Sequence, residues 1–290
     1  MPTKVEKDSL TGTETTGHEW DGIKELNNPL PRWWLYVLYA CIIWSVVYWI
    51  LFPAIPGITG YTKGIIGGTA REALDETMAA ARASQAVFLD RIEASSLEEL
   101  GQDADLLNFA IAGGRAAFAD NCAPCHGLGG AGQAGGYPSL ADDDWIWGGT
   151  LDEIHTTLLH GIRADNDDTR VSDMPAFGAD ELLSGEEIAD VAAYVLSLSG
   201  GEVDGAAVER GAPLYEENCV ACHGEGGVGE MALGAPRLDD QIWLYGGELA
   251  EIQAQIHRPR HGVMPAWDVR LDETTIKMLT TYVHTLGGGQ

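Results

Sequence analysis

The chain has 290 residues, with 44 acidic against 17 basic side chains and a formal charge of −27. Charge of that sign repels phosphate and excludes nucleic-acid binding, while it suits cationic partners met by electrostatic steering. The length predicts about two domains. Five cysteines are too few for a disulfide scaffold: four form two C-x-x-C pairs, and the fifth, Cys41, reads as a small residue in an apolar run.

After an N-terminal tail (1–32), Trp33 to Phe52 is a run of twenty residues without a charge, about the length a helix needs to span a bilayer core. Trp33, Trp34, Tyr48 and Trp49 lie near its ends, as interfacial aromatics do. Pro29 and Pro31 precede it, and Pro53 and Pro56 follow it, marking its limits. The tail carries Glu6, Asp8, Glu14, Glu19, Asp21 and Glu25, unlike a cleaved signal peptide, so residues 33–56 are expected to be an uncleaved transmembrane anchor. Lys4, Lys7, Lys24 and Arg32 against Lys63 and Arg71 lean slightly toward a cytoplasmic N-terminus. Residues 57–103 read as a helical connector. Thr69 to Glu93 lacks Gly and Pro, and Leu74, Met78, Ala81, Gln85, Phe88, Leu89 and Ile92 recur at helical spacing. Ser96 and Glu99 then form a capping box for a short second helix.

The remainder is one unit written twice, residues 104–201 and 202–290. Cys122-Ala-Pro-Cys125-His126-Gly127 recurs as Cys219-Val-Ala-Cys222-His223-Gly224 at an offset of 97. Trp145 and Gly148-Gly149 match Trp243 and Gly246-Gly247 at 98, Met174-Pro-Ala-Phe177 matches Met264-Pro-Ala-Trp267 at 90, and Tyr194 matches Tyr282 at 88. The shrinking offset places a longer loop in the first copy, within Arg163 to Asp173. A repeat this long is a duplicated domain, not a solenoid. Helices are expected over Leu106–Ala119, Leu151–His160 and Glu186–Leu198, the last capped by Ser184 and Glu187. Their second-copy equivalents are Ala206–Glu217, Glu248–Ile256 and Asp272–Leu286. Neither copy shows a convincing strand, and the fold class is all-α.

C-x-x-C-H is the attachment signal for c-type haem: the two thiols bond the porphyrin edge and the adjacent His reaches the iron. Thioredoxin chemistry would need a βαβ context, and zinc would need the two pairs to converge. The expected cofactors are two covalently bound haem c groups, on Cys122, Cys125, Cys219 and Cys222, with His126 and His223 as axial ligands. Met174 and Met264, 48 and 41 residues beyond those histidines, lie in matching loops and are the expected sixth ligands. Thioether sulfur is soft and favours Fe(II). His155 and His160 compete in the first copy, and His257, His261 and Met231 in the second. Pro138 and Pro236 are placed to offer carbonyls to the free N–H of each imidazole. Trp145 and Trp243 are candidates to pack on haem, and Arg237 and Arg258 to pair with its propionates.

From the motifs through the methionine loops the sequence resembles class I cytochrome c domains. The stretch His18-Glu-Trp-Asp-Gly-Ile-Lys-Glu-Leu-Asn-Asn-Pro-Leu-Pro-Arg-Trp-Trp34, followed by anchor, connector and two haem motifs, resembles the di-haem subunit (subunit III) of cbb3-type haem–copper oxidases. Some members of that family have two spans, and this sequence has one. The resemblance implies one N-terminal transmembrane helix and two tandem cytochrome c domains. It implies transfer of electrons from soluble or membrane-bound cytochrome c toward a mono-haem c subunit and the catalytic haem–copper subunit, where O2 is reduced to water and protons are pumped. This chain has no multi-span core to hold such a centre, so it would be an electron wire with no catalytic centre of its own. Haem c attachment outside the bacterial cytoplasmic membrane would put the haem domains in the periplasm. A free-standing anchored di-haem cytochrome, the haem subunit of a periplasmic dehydrogenase and a di-haem peroxidase remain as alternatives.

Overall fold

A computed structural model describes residues 4–287. The chain divides into two compact units after Ser84. In the first, strands β1 (Thr15–Trp20) and β2 (Ile23–Leu26) pair antiparallel, with Trp20 opposite Ile23. The intervening Asp21-Gly22 has φ of 49° and 85°, the doubly left-handed turn that Asp-Gly favours in two-residue hairpins. This small hairpin lies ahead of both copies, in a fold that is otherwise helical. The flanking residues are mostly exposed and alternate too little in hydropathy to announce strands, but the turn dipeptide was legible. Helix α1 (Arg32–Leu51) follows. No side chain on it is buried, and it alone among the described helices is long and apolar enough to cross a membrane. Its last carbonyls are satisfied by returning chain: the Ile65 and Ile66 N–H groups donate to Ile50 and Leu51, as a helix end in a dry environment requires.

Helix α2 (Ala70–Ala94) matches the predicted connector, and its C-terminal part belongs to the second unit. There Phe88 stacks on Phe109, and Ile92 is buried with Leu97, Leu100, Leu106, Ala110 and Met278. The Lys277 ammonium donates to the carbonyls of Ile92, Glu93 and Ser95, a cation placed where the α2 dipole is negative. The Ser96–Glu99 capping box opens α3 (Leu97–Gln102).

The duplicated part contributes α4 (Ala104–Asn121), α5 (Ala123–His126), α6 (Leu151–His160) and α7 (Gly185–Leu198), then α8 (Gly205–Asn218), α9 (Val220–His223), α10 (Leu249–His257) and α11 (Glu273–His284). The tandem order along the chain is as expected, but the packing is exchanged. Helix α4 packs on α11, not on α7, and α8 packs on α7. One apolar cluster joins Phe118, Cys122, Ile154 and Leu158 of the first copy to Trp267, Ile276, Leu279 and Val283 of the second. The other joins Phe177, Ile188, Val191 and Val195 of the first to Tyr215, Ile252 and Ile256 of the second.

The short α7–α8 connection explains the exchange. Ser199 to Asp204 leaves too little chain for anything but antiparallel neighbours, and Arg210 fastens the hairpin with a bidentate pair to Asp190 at 2.8 and 2.6 Å. Because the copies share a sequence pattern, α11 presents to α4 the face that α7 presents to α8. Phe118 meets Tyr282 with ring centroids 5.4 Å apart, and Tyr215 meets Tyr194 at 5.1 Å. At each crossing a glycine, Gly114 or Gly211, lets the backbones approach so closely that a Cβ would lie 2.1 Å from the carbonyl of Met278 or Asp190.

Candidate haem centres

Cys122 ends α4 and Cys219 ends α8, so each motif starts where a long helix stops and continues as a single turn, α5 or α9. Cys122 is buried and Cys219 half-buried, while Cys125 and Cys222 are exposed. Burial pushes the Cys122 and Cys219 thiols up to about 11. The glycine-rich loops fold back tightly. Gly132 N–H donates to the His126 carbonyl and Leu140 N–H to that of Gly130. Gly229 and Leu238 repeat both bonds on His223 and Gly227.

This fold-back carries Pro138 and Pro236 over the imidazoles. His126 Nδ1 lies 3.1 Å from the Pro138 carbonyl, and His223 Nδ1 lies 3.0 Å from that of Pro236. A carbonyl only accepts, so Nδ1 carries the proton in both rings and Nε2 keeps its lone pair, the tautomer a metal-ligating histidine needs. Burial pushes both imidazoles below their ordinary range, against the smaller opposing effect of the proline carbonyls, a shift toward the neutral form that ligates metals.

The methionines take up the exchange. Met264 packs against the cluster containing Cys122, with Trp145 and Leu140. Met174 packs against the cluster with Cys219, Trp243 and Leu238. Each therefore packs with the first cysteine of the other copy's motif, not with that of its own copy. A tandem repeat records which segments are equivalent but not which copy supplies each one.

The competing side chains sit differently. His155 Nε2 is 3.1 Å from Glu273, His261 Nδ1 is 3.4 Å from Asp173, His257 is exposed, and Met231 is exposed outside both clusters. Arg237 is paired with Asp239 at 2.9 Å, and Arg258 is exposed. Among the described residues no group of three or more His, Cys, Asp or Glu stands close enough together to hold a metal ion.

Sequence reasoning missed Arg170 and read His160 only as a competing ligand. His160 Nδ1 and Arg170 Nε are buried nitrogens without a hydrogen-bond partner among the described residues. Arg170 donates to the Glu153 carbonyl on α6 and lies over Trp147 at 5.3 Å. A partner for such groups, supplied by a carboxylate-bearing cofactor, fits the chemistry. Their signal lay in the repeat. Arg170 and Arg260 match at the methionine offset of 90, and Trp147 and Tyr245 at 98. Arg260 lies over Tyr245 at 4.8 Å, repeating the stacked pair. Trp147 in turn packs over Gly234, and Tyr245 over Gly136, so each aromatic meets the other copy's loop.

Asp144 adds an electrostatic feature. Burial first, then the charges of Asp240 and Asp142, push its carboxyl up to about 6, with Arg237 opposing. A carboxyl raised above its unfolded value of 3.8 stabilises the fold only while protonated. Its contribution is complete below about pH 4 and is lost as pH rises through about 6. Asp144→Asn is thus expected to raise the thermal midpoint at pH 7 and to flatten the gain on acidification from pH 6 to 4. After discounting for solvent screening, the effect is on the order of 1 kcal/mol. Unfolding curves of parent and variant with the same pH dependence would show that the carboxyl is not strained.

A neutral imidazole, two thiols at a helix end, a soft thioether and an apolar wall, supplied twice, fit haem c and define a di-haem c-type cytochrome. The chain belongs to the cbb3-type cytochrome c oxidase subunit III family. The family model described as "Cytochrome C oxidase, cbb3-type, subunit III" matches residues 109–195 and 206–283. The model for the N-terminal domain of cytochrome oxidase-cbb3, FixP, matches residues 12–59. The chain is 53% identical to the Azospirillum brasilense cbb3-type cytochrome c oxidase subunit CcoP, over 98% of this chain and 99% of that protein. It is 51% identical to the Azorhizobium caulinodans subunit FixP, over 98% and 96%. It is 49% identical to the Bradyrhizobium diazoefficiens subunit FixP, over the full length of both. Two covalently attached haem c groups follow from the two domains. The matched segments follow the sequence copies, whereas packing joins the front of each copy to the back of the other.

Proposed function

We propose that this chain is the membrane-anchored electron-transfer subunit of a cbb3-type oxidase. It passes electrons from soluble or membrane-anchored cytochrome c toward a mono-haem c subunit and the catalytic haem–copper subunit. Haem c, when bound, supplies reversible one-electron chemistry. Cys122 and Cys125, or Cys219 and Cys222, would attach it, and His126 with Met264, or His223 with Met174, would hold its iron. The carrying observation is that each apolar cluster brings one methionine to the first cysteine of a motif whose histidine is oriented by a proline carbonyl. An iron closed on both sides transfers electrons and takes no substrate, which supports a wire over a peroxidase. Helix α1 is the anchor. Haem attachment outside the cytoplasmic membrane supports periplasmic haem domains and a cytoplasmic tail over residues 1–32.

The test uses the complex purified in mild detergent. Parent chains should keep two haems after denaturation and co-purify with the haem–copper subunit. Cys122→Ser with Cys125→Ser should leave one haem and abolish cytochrome c-dependent O2 uptake while electrons fed directly to the catalytic subunit still reduce O2. Two haems retained in that variant would refute the attachment sites, and unchanged cytochrome c-dependent O2 uptake would refute the electron path.

A further inference from the structure

The two methionine segments cross beside one arginine. After α6 the chain runs through residues 161–173 to Met174, and after α10 it runs through 258–263 to Met264. Ile162 and Met264 exchange both backbone hydrogen bonds, at 2.9 and 3.0 Å. The next residue, Arg163, reaches both crossing segments. Its Nε donates to the Gly262 carbonyl at 2.7 Å, and its Nη1 donates to the Ser172 carbonyl at 2.8 Å. Ser172 stands two residues before Met174 and Gly262 two before Met264, equivalent positions at the offset of 90. One guanidinium therefore holds the same carbonyl in both copies. Asp173 lies 3.9 Å from Arg163 Nη1 and 3.4 Å from His261 Nδ1, so it contacts both the arginine and the second segment.

Two further observations mark this as a built contact. The Arg163 side chain is only 23% exposed. Its backbone sits at φ 51°, a left-handed conformation that is unfavourable for any residue with a Cβ. The duplicate offers no second copy of it: the residue 98 positions on is His261, and the neighbouring Arg260 turns instead to Tyr245. A guanidinium fork presents its donors in fixed directions, whereas the ammonium of a lysine is a rotating point charge on a flexible stem.

We infer that Arg163 is a shared positioning residue that clasps both methionine loops, so that one side chain sets thioether ligation at both haems. The inference rests on Met174 and Met264 being axial ligands. Its distinctive consequence is that a single substitution loosens ligands on two irons, although Arg163 is joined by short chain only to Met174.

Imidazole serves as the probe, because it competes with thioether for ferric iron and its binding removes the near-infrared Met–Fe(III) charge-transfer band. In the full-length protein, a Met174→His background leaves only the band due to Met264, and a Met264→His background leaves only that due to Met174. Arg163→Met in each background should lower the imidazole concentration that halves the band about tenfold, because each loop loses one charge-assisted hydrogen bond. Arg163→Lys should give a smaller shift in both backgrounds and carries the test if Arg163→Met does not accumulate. Methionine and lysine meet the same backbone cost as arginine, so the comparison reads the side chain. Retention of the covalent haem is the folding control. A shift confined to the Met174 band would show a local anchor and overturn the clasp, as would no shift in either background. A background protein without any band would overturn the ligand assignment, and the clasp with it.

Discussion

Met264→His is expected to lower the potential of the haem held at Cys122 and Cys125, and to leave the haem at Cys219 and Cys222 unchanged. Imidazole favours Fe(III) relative to thioether, so the substitution stabilises the oxidised state of whichever iron Met264 serves. The shift should be on the order of a tenth of the roughly 0.8 V that axial ligands span, large enough to separate two otherwise overlapping titrations. Single-haem proteins assign it. With Cys122→Ser and Cys125→Ser, only the second haem remains, and there Met264→His should be silent while Met174→His lowers the potential. With Cys219→Ser and Cys222→Ser the pattern should reverse. The opposite result in both proteins would restore within-copy pairing and contradict the packing of Met264 with Cys122 and of Met174 with Cys219.

That experiment addresses the one feature of the haem shells that a repeat cannot encode. Helix positions follow from local signals. Leu151–His160 is found at its expected limits, between the Thr150–Glu153 capping box and Gly161. The proline carbonyls were legible because a tight glycine-rich loop twelve or thirteen residues long leaves few ways to close over the imidazole. Membership of the oxidase subunit family was legible in the stretch from His18 to Trp34, which also hid the Asp21-Gly22 hairpin. The exchange of α7 and α11 depends instead on the length of the connection at Ser199–Asp204, weighed against two nearly equivalent docking faces. Pattern matching sees the faces and ignores the tether. Arg163 and Arg170 were missed for a related reason. A loop arginine has no periodicity, and its role appears only when two distant segments cross beside it.

The second large effect lies at the helix crossings. Gly113 and Gly114 stand together inside α4, where each costs about 1 kcal/mol of helix propensity relative to alanine. On propensity alone, alanine at either position should stabilise. The packing predicts otherwise at Gly114, where a Cβ would lie 2.1 Å from the Met278 carbonyl and 2.7 Å from Tyr282 Cβ. Backbone on both sides cannot yield without moving α4 from α11, so Gly114→Ala is expected to destabilise by about 1–3 kcal/mol. Gly113→Ala should be milder, since its Cβ would meet the flexible end of Met278, which can turn aside. Gly211→Ala should repeat the larger loss, because its Cβ would lie 2.1 Å from the Asp190 carbonyl. Denaturant unfolding of the three variants measures the losses, and imidazole competition locates them. Moving α11 disturbs the shell that holds Met264, so Gly114→Ala should weaken that ligand. Moving α7 disturbs the shell that holds Met174, so Gly211→Ala should weaken the other. A Gly114→Ala protein as stable as its parent would show that α4 and α11 do not cross so closely, and weakening of Met174 by that variant would place α7, not α11, against α4.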